Sequence, residues 1–436
     1  MRREIGVHER PPLGQSLTLS LQHLFAMFGS TVLVPNLLGV DPAVCLLMNG
    51  IGTLLYLWIC QGKIPAYLGS SFAFISPAGA VIGMYASEGD GYAAALGGFI
   101  IAGLVFTLIA LLIQFVGTGW INVVFPPAAM GAIVAVIGLE LIPVAARMAG
   151  WIAPAGADEW KMDANTVTIS MATILVTVLG NVLFRGFMRI IPILIGIVFG
   201  YALAYAMGEI KFGFLDQASW IDSPTFTTPV FHLAAILTIV PAALVVVAEH
   251  IGHLIVTGNI VDKDLSKDPG LHRSMLGNGL STMLSGFVGA TPNTTYGENI
   301  GVLAMTRVYS TFVIGGAAVI AILLSFLGKF SALVANIPVA VMGGISLLLF
   351  GIIAASGLRM LVESKIDYSK PTNLFLTTIV LVVGLSGLKI KSGEFELTGM
   401  ALATVVAIVF SLLFKLFELS KLSNENEVAI DTSKHE

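Results

Sequence analysis

Apolar runs long enough to cross a lipid bilayer follow one another along almost the whole of this chain. A transmembrane helix needs about 20 predominantly apolar residues, and about fourteen such runs occur between polar or Pro/Gly-containing breaks. The clear runs are 43–60, 93–116, 167–183, 190–207, 233–256, 313–327, 339–355, 374–388 and 397–417, and shorter or interrupted runs fill 17–38, 67–85, 125–142, 275–288 and 291–305. This pattern predicts an all-α polytopic membrane protein, because a helix satisfies its backbone hydrogen bonds within its own span.

The composition excludes a soluble fold. Only 11% of the 436 residues are charged, whereas a soluble domain carries about 25% because its surface faces water. The formal net charge of −4 is not basic enough to suggest a nucleic-acid partner. Cys45 and Cys60 are the only cysteines and both lie in apolar runs. We therefore expect neither a disulfide framework nor a metal site, and we predict no cofactor.

The distribution of positive charge predicts the orientation of the spans. The polar segment 1–16 lacks the apolar core and cleavage site of a secretory signal, so we expect the first span to be retained. Cytoplasmic loops carry excess Lys and Arg. With the N-terminus inside and fourteen alternating spans, the inside holds every Lys and Arg except Arg147, Lys161, Lys211, Lys329, Lys389 and Lys391. The prediction is a cell (inner) membrane protein with both termini in the cytoplasm and a disordered tail, 419–436.

Two pairs of matching segments indicate an internal repeat. The sequence PPAAMG at 126–131 is echoed by PVAVMG at 338–343. The segments GSSFAF at 69–74 and TTYGEN at 294–299 are both short, rich in Ser/Thr, Gly and aromatic residues, and flanked by prolines. Interrupted segments at matching positions of two halves point to a transporter site near the bilayer midplane. Because each half holds an odd number of spans, about seven, the halves must have inverted topology.

A few ionisable residues stand inside the apolar runs, where each costs at least ~2.5 kcal/mol. Glu249 and His253 are separated by four positions and therefore share one face of a helix. They could hold one proton between them, as proton coupling requires, or they could be a structural pair that fixes two helices. His250 points to another side of the same helix, and we interpret it as structural.

The second interrupted segment places Glu298 directly after Tyr296 and Gly297. Non-helical backbone at membrane depth survives only inside protein or beside a wet cavity, so its free N–H groups need partners such as a ligand carbonyl. A carboxylate beside such N–H groups matches an imide-like ring, in which C=O groups flank an N–H group. It does not match a sugar or an amino acid. The alternative is that Glu298 caps the half-helix that follows. Phe72, in the partner segment, could cover a planar ring, although core packing is the commoner role of such an aromatic.

Two further ionisable residues lie in the first half of the chain. His23 follows Gln22 in the first span, at the position that would pair with the Glu249 helix in the repeat, and a role in the site is one hypothesis. Glu140 stands near the end of its apolar run. We interpret it as a solvated helix end near the outer interface.

The segment GENIG at 297–301, with Thr306 after it, resembles the signature of the nucleobase–ascorbate transporter (nucleobase:cation symporter-2) family. That signature is Gln or Glu followed by Asn-x-Gly-x4-Thr. The likeness continues through 20–29, 63–74 and 248–253 and covers nearly the whole chain. The Glu form, preceded by PNTTY at 292–296, is similar to the uracil-transporting branch rather than the xanthine or urate members.

The resemblance implies a fold of two inverted seven-span repeats, with short antiparallel strands in the interrupted third and tenth spans. Spans 1–4 and 8–11 would form a core domain at 1–117 and 230–332. Spans 5–7 and 12–14 would form a gate domain at 118–210 and 333–418. The implied function is the import of uracil in symport with a proton, by a homodimer in the lipid bilayer that moves its core against its gate.

The resemblance also implies roles for individual residues. Glu249 and Glu298 would hydrogen-bond the N–H groups of uracil, and both would take part in proton coupling. The backbone N–H groups of Phe72 and Gly297 would bind its carbonyl groups. His253 would hold or relay the proton, and Tyr296 would line the pocket. Ser71, His23 and Asn299 are possible accessory residues.

The chain departs from this family at one position, and several alternatives stay open. Where the uracil branch has Tyr in the twelfth span, this sequence has Phe350, which could alter affinity or pyrimidine preference. One alternative is a related symporter of xanthine, urate or another pyrimidine, and another is a passive channel. The third is an intramembrane metalloenzyme built on Glu249, His250 and His253, but the sequence lacks an H-E-x-x-H motif.

Overall fold

The computed structural model describes residues 4–154, 156, 159–392 and 395–422, and it is mainly helical. Tail residues 423–436, predicted to be disordered, lie outside the described residues. In chain order the helices are α1 (Leu13–Ala26), α2 (Phe28–Leu38), α3 (Pro42–Ile59), α4 (Ile75–Met84), α5 (Gly91–Val116), α6 (Ile121–Val124), α7 (Pro127–Met148), α8 (Ala164–Leu183), α9 (Pro192–Ala206), α10 (Phe214–Gln217), α11 (Leu233–Ile260), α12 (Leu271–Val288), α13 (Gly297–Thr306), α14 (Thr311–Ser325), α15 (Gly328–Ala335), α16 (Val339–Glu363), α17 (Pro371–Leu385) and α18 (Gly399–Leu419).

The helices supply the predicted fourteen membrane segments. Eight spans, with α1 and α2 counted as one, are long and apolar enough to cross a membrane in the described part of the chain. The bent pair α14 and α15, with 90° between its helices, gives a ninth. The shorter apolar helices at Phe72–Met84, α9 and α17 add three more. The remaining two are α12, whose polar residues are largely buried, and the half-helix α13.

The packing of α7 against α16 demonstrates the inverted repeat. Each helix begins at its copy of the repeated motif, with a proline at the N-cap. Gly131 in the first turns of α7 lies against Gly357 near the far end of α16, and Gly138 lies against Ala354. Residue numbers rise along one helix as they fall along the other, so the two copies run antiparallel. The small residues let the two backbones approach closely. The predicted inverted topology is confirmed.

The interrupted segments pair with each other as predicted. Strand β1 (Leu68–Ser70) lies antiparallel to strand β2 (Asn293–Thr295), and both are buried. A 3-10 turn at Phe72–Phe74 follows β1 and leads into α4, while α13 begins two residues after β2. Two half-helices therefore begin beside one two-stranded ribbon in the interior. A second ribbon, β3 (Lys389–Ser392) with β4 (Phe395–Thr398), joins α17 to α18 and was not predicted.

Contacts between loops group several basic residues at one end of the bundle. Ile5 pairs with Val308, so the N-terminal segment lies beside the loop between α13 and α14. Lys63, after α3, forms an ion pair with Asp268, before α12. Arg273 donates a hydrogen bond to the end of α3. We call this end of the bundle, with Lys63 and Arg273, the basic end.

Candidate substrate and proton site

The site is built on the two half-helix N-termini. Within the described part of the chain, no side chain caps either the turn that begins at Phe72 or the helix that begins at Gly297. The first N–H groups of a helix have no partner within the helix. At membrane depth they are available to the oxygen atoms of a ligand, and the helix dipole favours acceptors there.

A glycine allows the ribbon to close over the site. A Cβ atom on Gly69 would stand 2.2 Å from the Tyr296 ring, so only glycine lets that ring lie across β1. The Tyr296 hydroxyl then donates to the carbonyl oxygen of Ser70 at 2.9 Å. Tyr296 is 3% exposed. The residue predicted to line the pocket therefore also fixes one half-helix to the strand of the other.

Two carboxyl groups lie near the start of α13. Glu249 on α11 and Glu298 on α13 lie within electrostatic range of each other, and both are partly exposed. One Glu298 carboxylate oxygen, Oε1, is buried without a hydrogen-bond partner among the described residues. Unsatisfied buried polar atoms are rare in native proteins and call for a partner such as a ligand or water. The carboxylate of Glu298 is therefore positioned as an acceptor for an incoming N–H group.

His253 covers the first residue of α13. Its Nε2 atom lies 3.2 Å from the position that a Cβ atom on Gly297 would occupy. Its Nδ1 atom is hydrogen-bonded to the Thr295 hydroxyl at 3.2 Å. The predicted pairing of His253 with Glu249 is not among the hydrogen bonds of the described residues. His253 instead joins the site to the end of β2.

Phe72 contacts the second repeat through its ring. It is 6% exposed and meets Phe350 edge-on, with the ring centroids 5.9 Å apart. Phe350 on α16 is fully buried. Phe350, the position at which we expect a departure from the uracil branch, thus lies directly against a predicted site residue. The hydroxyl of the neighbouring Ser71 is buried without a partner among the described residues.

His23 and Asn299 form a layer behind the site. His23 Nδ1 is 3.0 Å from Asn299 Oδ1, and the Asn299 amide donates to the carbonyl oxygen of Pro65 at 3.3 Å. Both side chains are almost fully buried. These contacts fix α1 and the segment before β1 to the half-helix α13. Their geometry supports a positioning role.

Glu140 is not the solvated helix end that its sequence position suggested. The helix α7 continues to Met148, so Glu140 lies about two turns before the end of the helix and is half-buried. Its carboxylate accepts a hydrogen bond from the Ser76 hydroxyl at 2.9 Å and from the Met400 N–H group at 2.8 Å. That expectation is wrong, because the partners that bury Glu140 lie far away along the chain. No local signal identifies them.

The partners of His250 are a further feature that the sequence did not indicate. Its Nδ1 atom faces the Thr295 hydroxyl at 3.3 Å, and its Nε2 atom faces the Ser274 hydroxyl at 2.8 Å. The side chain is 1% exposed. A buried histidine with both ring nitrogens hydrogen-bonded could be inferred only from its neighbours in space.

Comparisons with known proteins agree with this architecture. Residues 14–393 match the family model Xan_ur_permease, described as a permease family. A uracil permease of Paenibacillus larvae is 64% identical over 423 residues, which cover 97% of this chain and 99% of the relative. A uracil permease of Escherichia coli K12 is 61% identical over 99% of this chain and 97% of its own length. A uracil permease of Bacillus subtilis is 48% identical over 94% of each chain.

Solved structures of more distant proteins share the fold. The transmembrane domain of a cyanobacterium bicarbonate transporter, BicA, aligns with a TM-score of 0.61 at 15% identity, over 93% of this chain and 96% of that domain. The murine Solute Carrier 26 family member A9 aligns with a TM-score of 0.68 at 13% identity, over 94% of this chain and 69% of that chain. At such low identity these likenesses concern the fold alone.

Proposed function

The chain belongs to this permease family, and on that premise we propose that it imports uracil in symport with a proton by alternating access. It is a transporter rather than an enzyme, because its relatives are permeases. The observation that carries the proposal is the meeting of two uncapped half-helix N-termini with the carboxylate of Glu298. Such a site offers both donors and acceptors to one small planar ring.

The donors and acceptors match the edge of uracil. Uracil presents N–H groups next to carbonyl groups. Glu298 and Glu249 accept hydrogen bonds from its N–H groups, and the N–H groups of Phe72 and Gly297 donate to its carbonyl oxygens. A site that hydrogen-bonds specific N–H and C=O groups rejects ligands that lack them, because its own buried polar groups would be left unpaired. The Phe72 ring, held edge-on by Phe350, packs against the plane of the base.

The proton is held at the same place. His253 lies over Gly297, the residue before Glu298. Carboxyl groups within electrostatic range cannot both ionise without mutual repulsion, so the pair favours retention of one proton. We assign proton coupling to Glu249, His253 and Glu298.

The repeats divide into a moving core and a gate. The core consists of 1–117 and 230–332 and carries both half-helices, and the gate consists of 118–210 and 333–418. A homodimer in the cell (inner) membrane, with both termini in the cytoplasm, moves the core against the gate. The basic end of the bundle then faces the cytoplasm, in accord with the excess of Lys and Arg in cytoplasmic loops.

The energy of one proton is sufficient for accumulation. One charge moving across about 100 mV supplies about 2.3 kcal/mol, and one pH unit adds about 1.4 kcal/mol. Together they support an accumulation of roughly 500-fold at 1.4 kcal/mol per decade. Because uracil is neutral at pH 7, symport carries net positive charge. Uptake should respond to voltage as well as to pH.

The test is uptake of radiolabelled uracil by liposomes that contain the protein, under an inward proton gradient. We expect accumulation that a protonophore abolishes and that Glu298→Ala eliminates. Glu363→Ala is the matched control, since Glu363 is exposed and bonded only to Arg359 among the described residues. Simple equilibration, indifferent to the gradient, would identify a facilitator. Absence of uptake by folded protein would refute uracil as the substrate.

A further inference from the structure

A continuous chain of hydrogen bonds leaves the site through the interior of the core. His253 Nδ1 is bonded to Thr295 Oγ1 at 3.2 Å, and the same hydroxyl faces His250 Nδ1 at 3.3 Å. His250 Nε2 faces Ser274 Oγ at 2.8 Å, and Ser274 Oγ faces the Tyr56 hydroxyl at 2.6 Å. The four groups beyond His253 are each less than 5% exposed. Each neighbouring pair of groups from His253 to Tyr56 lies within hydrogen-bonding distance.

Every member of this chain can pass a proton on. A hydroxyl both donates and accepts, and a neutral imidazole donates at one nitrogen while it accepts at the other. The bonds can therefore all point the same way, from His253 through Thr295 and His250 to Ser274 and Tyr56. A proton that arrives at His253 displaces the next along each bond. Each group gains one proton and loses one: Tyr56 passes its own proton to the Cys60 thiol, which releases its proton to water at the basic end, so all of the groups are left neutral.

The two ends of the chain lie in different surroundings. At one end, the ring of His253 lies against Gly297 in the site. At the other end, the Tyr56 hydroxyl interacts with the Cys60 thiol at the last turn of α3. Arg273, which is partly exposed, bonds the Ile59 carbonyl beside this turn. The chain thus leads from the site towards the basic end of the bundle.

A purely structural role does not account for this linear arrangement. Hydrogen bonds between membrane helices contribute on average only about 0.6 kcal/mol each, so apolar packing would hold these helices together equally well. Here three helices and β2 each contribute a group that can transfer a proton, in an unbroken line from the site. The groups of the hydrogen-bonded line come from α3, α11, α12 and β2, and none of them is contributed by α7 or α16. A proton can move along it without using the space between those helices.

We propose that this chain of hydrogen bonds conducts the proton between the uracil site and the basic end of the bundle. Uracil leaves between core and gate, while the proton leaves through the core. This inference rests on the proposed symport. It assigns a proton-transfer role to Thr295, His250, Ser274 and Tyr56, beyond the groups that hold substrate.

Tyr56→Phe and Ser274→Ala test the proposal, because each removes one hydroxyl with little change of shape. Two rates are compared in liposomes: net uptake driven by a proton gradient, and exchange of labelled for unlabelled uracil at equal pH. Exchange needs only movement of the loaded carrier, whereas net uptake also needs proton release. We expect net uptake to fall about tenfold or more, an added barrier of about 1.4 kcal/mol, with exchange unchanged.

Ser285→Ala is the matched control. Ser285 is buried on the same helix as Ser274, but its hydroxyl has no partner among the described residues. We expect it to retain both rates. Unchanged net uptake in folded Tyr56→Phe and Ser274→Ala proteins would overturn the proposal. Parallel loss of exchange and net uptake would also overturn it, because the hydroxyls would then only support the site.

A measurement on the unaltered protein tests the proposal even if the variants fail to fold. In deuterium oxide, proton transfer along the chain should slow net uptake more than exchange. Equal effects on the two rates would contradict a proton-transfer step through the core. Failure of the proposed function is a separate outcome, because the unaltered protein would then show no gradient-driven accumulation at all.

Discussion

Replacement of Glu140 by alanine should loosen the junction of three segments. The carboxylate accepts hydrogen bonds from Ser76, at the start of α4, and from Met400, in the first turn of α18. The Glu140 carboxylate reaches the N-terminal end of α18 only because residue 399 is glycine. A Cβ atom there would stand 2.1 Å from Glu140 Oε1. Glu140 therefore acts as the cap of α18 from another helix.

The magnitude follows from the two bonds. In the Glu140→Ala protein the Ser76 hydroxyl can turn to a carbonyl of its own helix, so its loss is small. The Met400 N–H group has no such alternative. Stranding a buried donor costs about 1–3 kcal/mol and loss of a cap about 1 kcal/mol. Hydrogen bonds between membrane helices average about 0.6 kcal/mol. We expect a total cost of about 1–3 kcal/mol.

The two cysteines supply the assay. Cys45 and Cys60 are both free and fully buried, so a fluorogenic thiol reagent reacts with them only as the protein opens. At about 2 °C per kcal/mol in a large domain, Glu140→Ala should lower the unfolding midpoint by roughly 2–6 °C. Glu140→Gln keeps a carbonyl oxygen as acceptor for Met400 and should cost less than about 1 kcal/mol.

Exposed Glu363 again provides the control, since Glu363→Ala should leave the midpoint unchanged. An alanine variant as stable as the unaltered protein would refute the capping role. Equal destabilisation by Gln and Ala would show that charge, rather than a hydrogen-bond acceptor, is what α18 requires.

Two further predictions concern the ribbon and a helix end. Gly69→Ala places a Cβ atom 2.2 Å from the Tyr296 ring and should abolish uracil binding and lower the unfolding midpoint, whereas Gly79→Ala, with nothing within 4 Å, should do neither. Hydrogen bonds from Thr166 lower the pKa of Asp163, the N-cap of α8, below its ordinary value. The stabilisation of the helix end is therefore present above the unfolded pKa and lost as pH falls through the folded pKa. Smaller protection factors of the amides in the first turn of α8 in acid, measured relative to the intrinsic exchange rate at each pH, should reveal it, and Asp163→Asn should remove that pH dependence. Protection factors unaffected by acid would contradict this assignment.

The sequence by itself determined the membrane segments and their inverted arrangement. Each span can be recognised from its own residues, because about 20 apolar residues must be contiguous to cross the bilayer. The repeated motif at 126–131 and 338–343 identified equivalent helices, and the structure pairs them antiparallel. The interrupted segments around Phe72 and Glu298 were also recognisable, since local composition alone breaks a helix there.

Only the tertiary structure decided which polar groups meet. One partner of Glu140 is Met400, 260 positions away, and one partner of Ser274 is Tyr56, 218 positions away. A local pattern reports whether a residue is buried in its own span, but not which other span covers it. Glu140 was therefore misplaced at a solvated end, and the line of hydroxyl and imidazole groups behind His253 was invisible. Such contacts depend on how the two repeats pack, and no single segment encodes that packing.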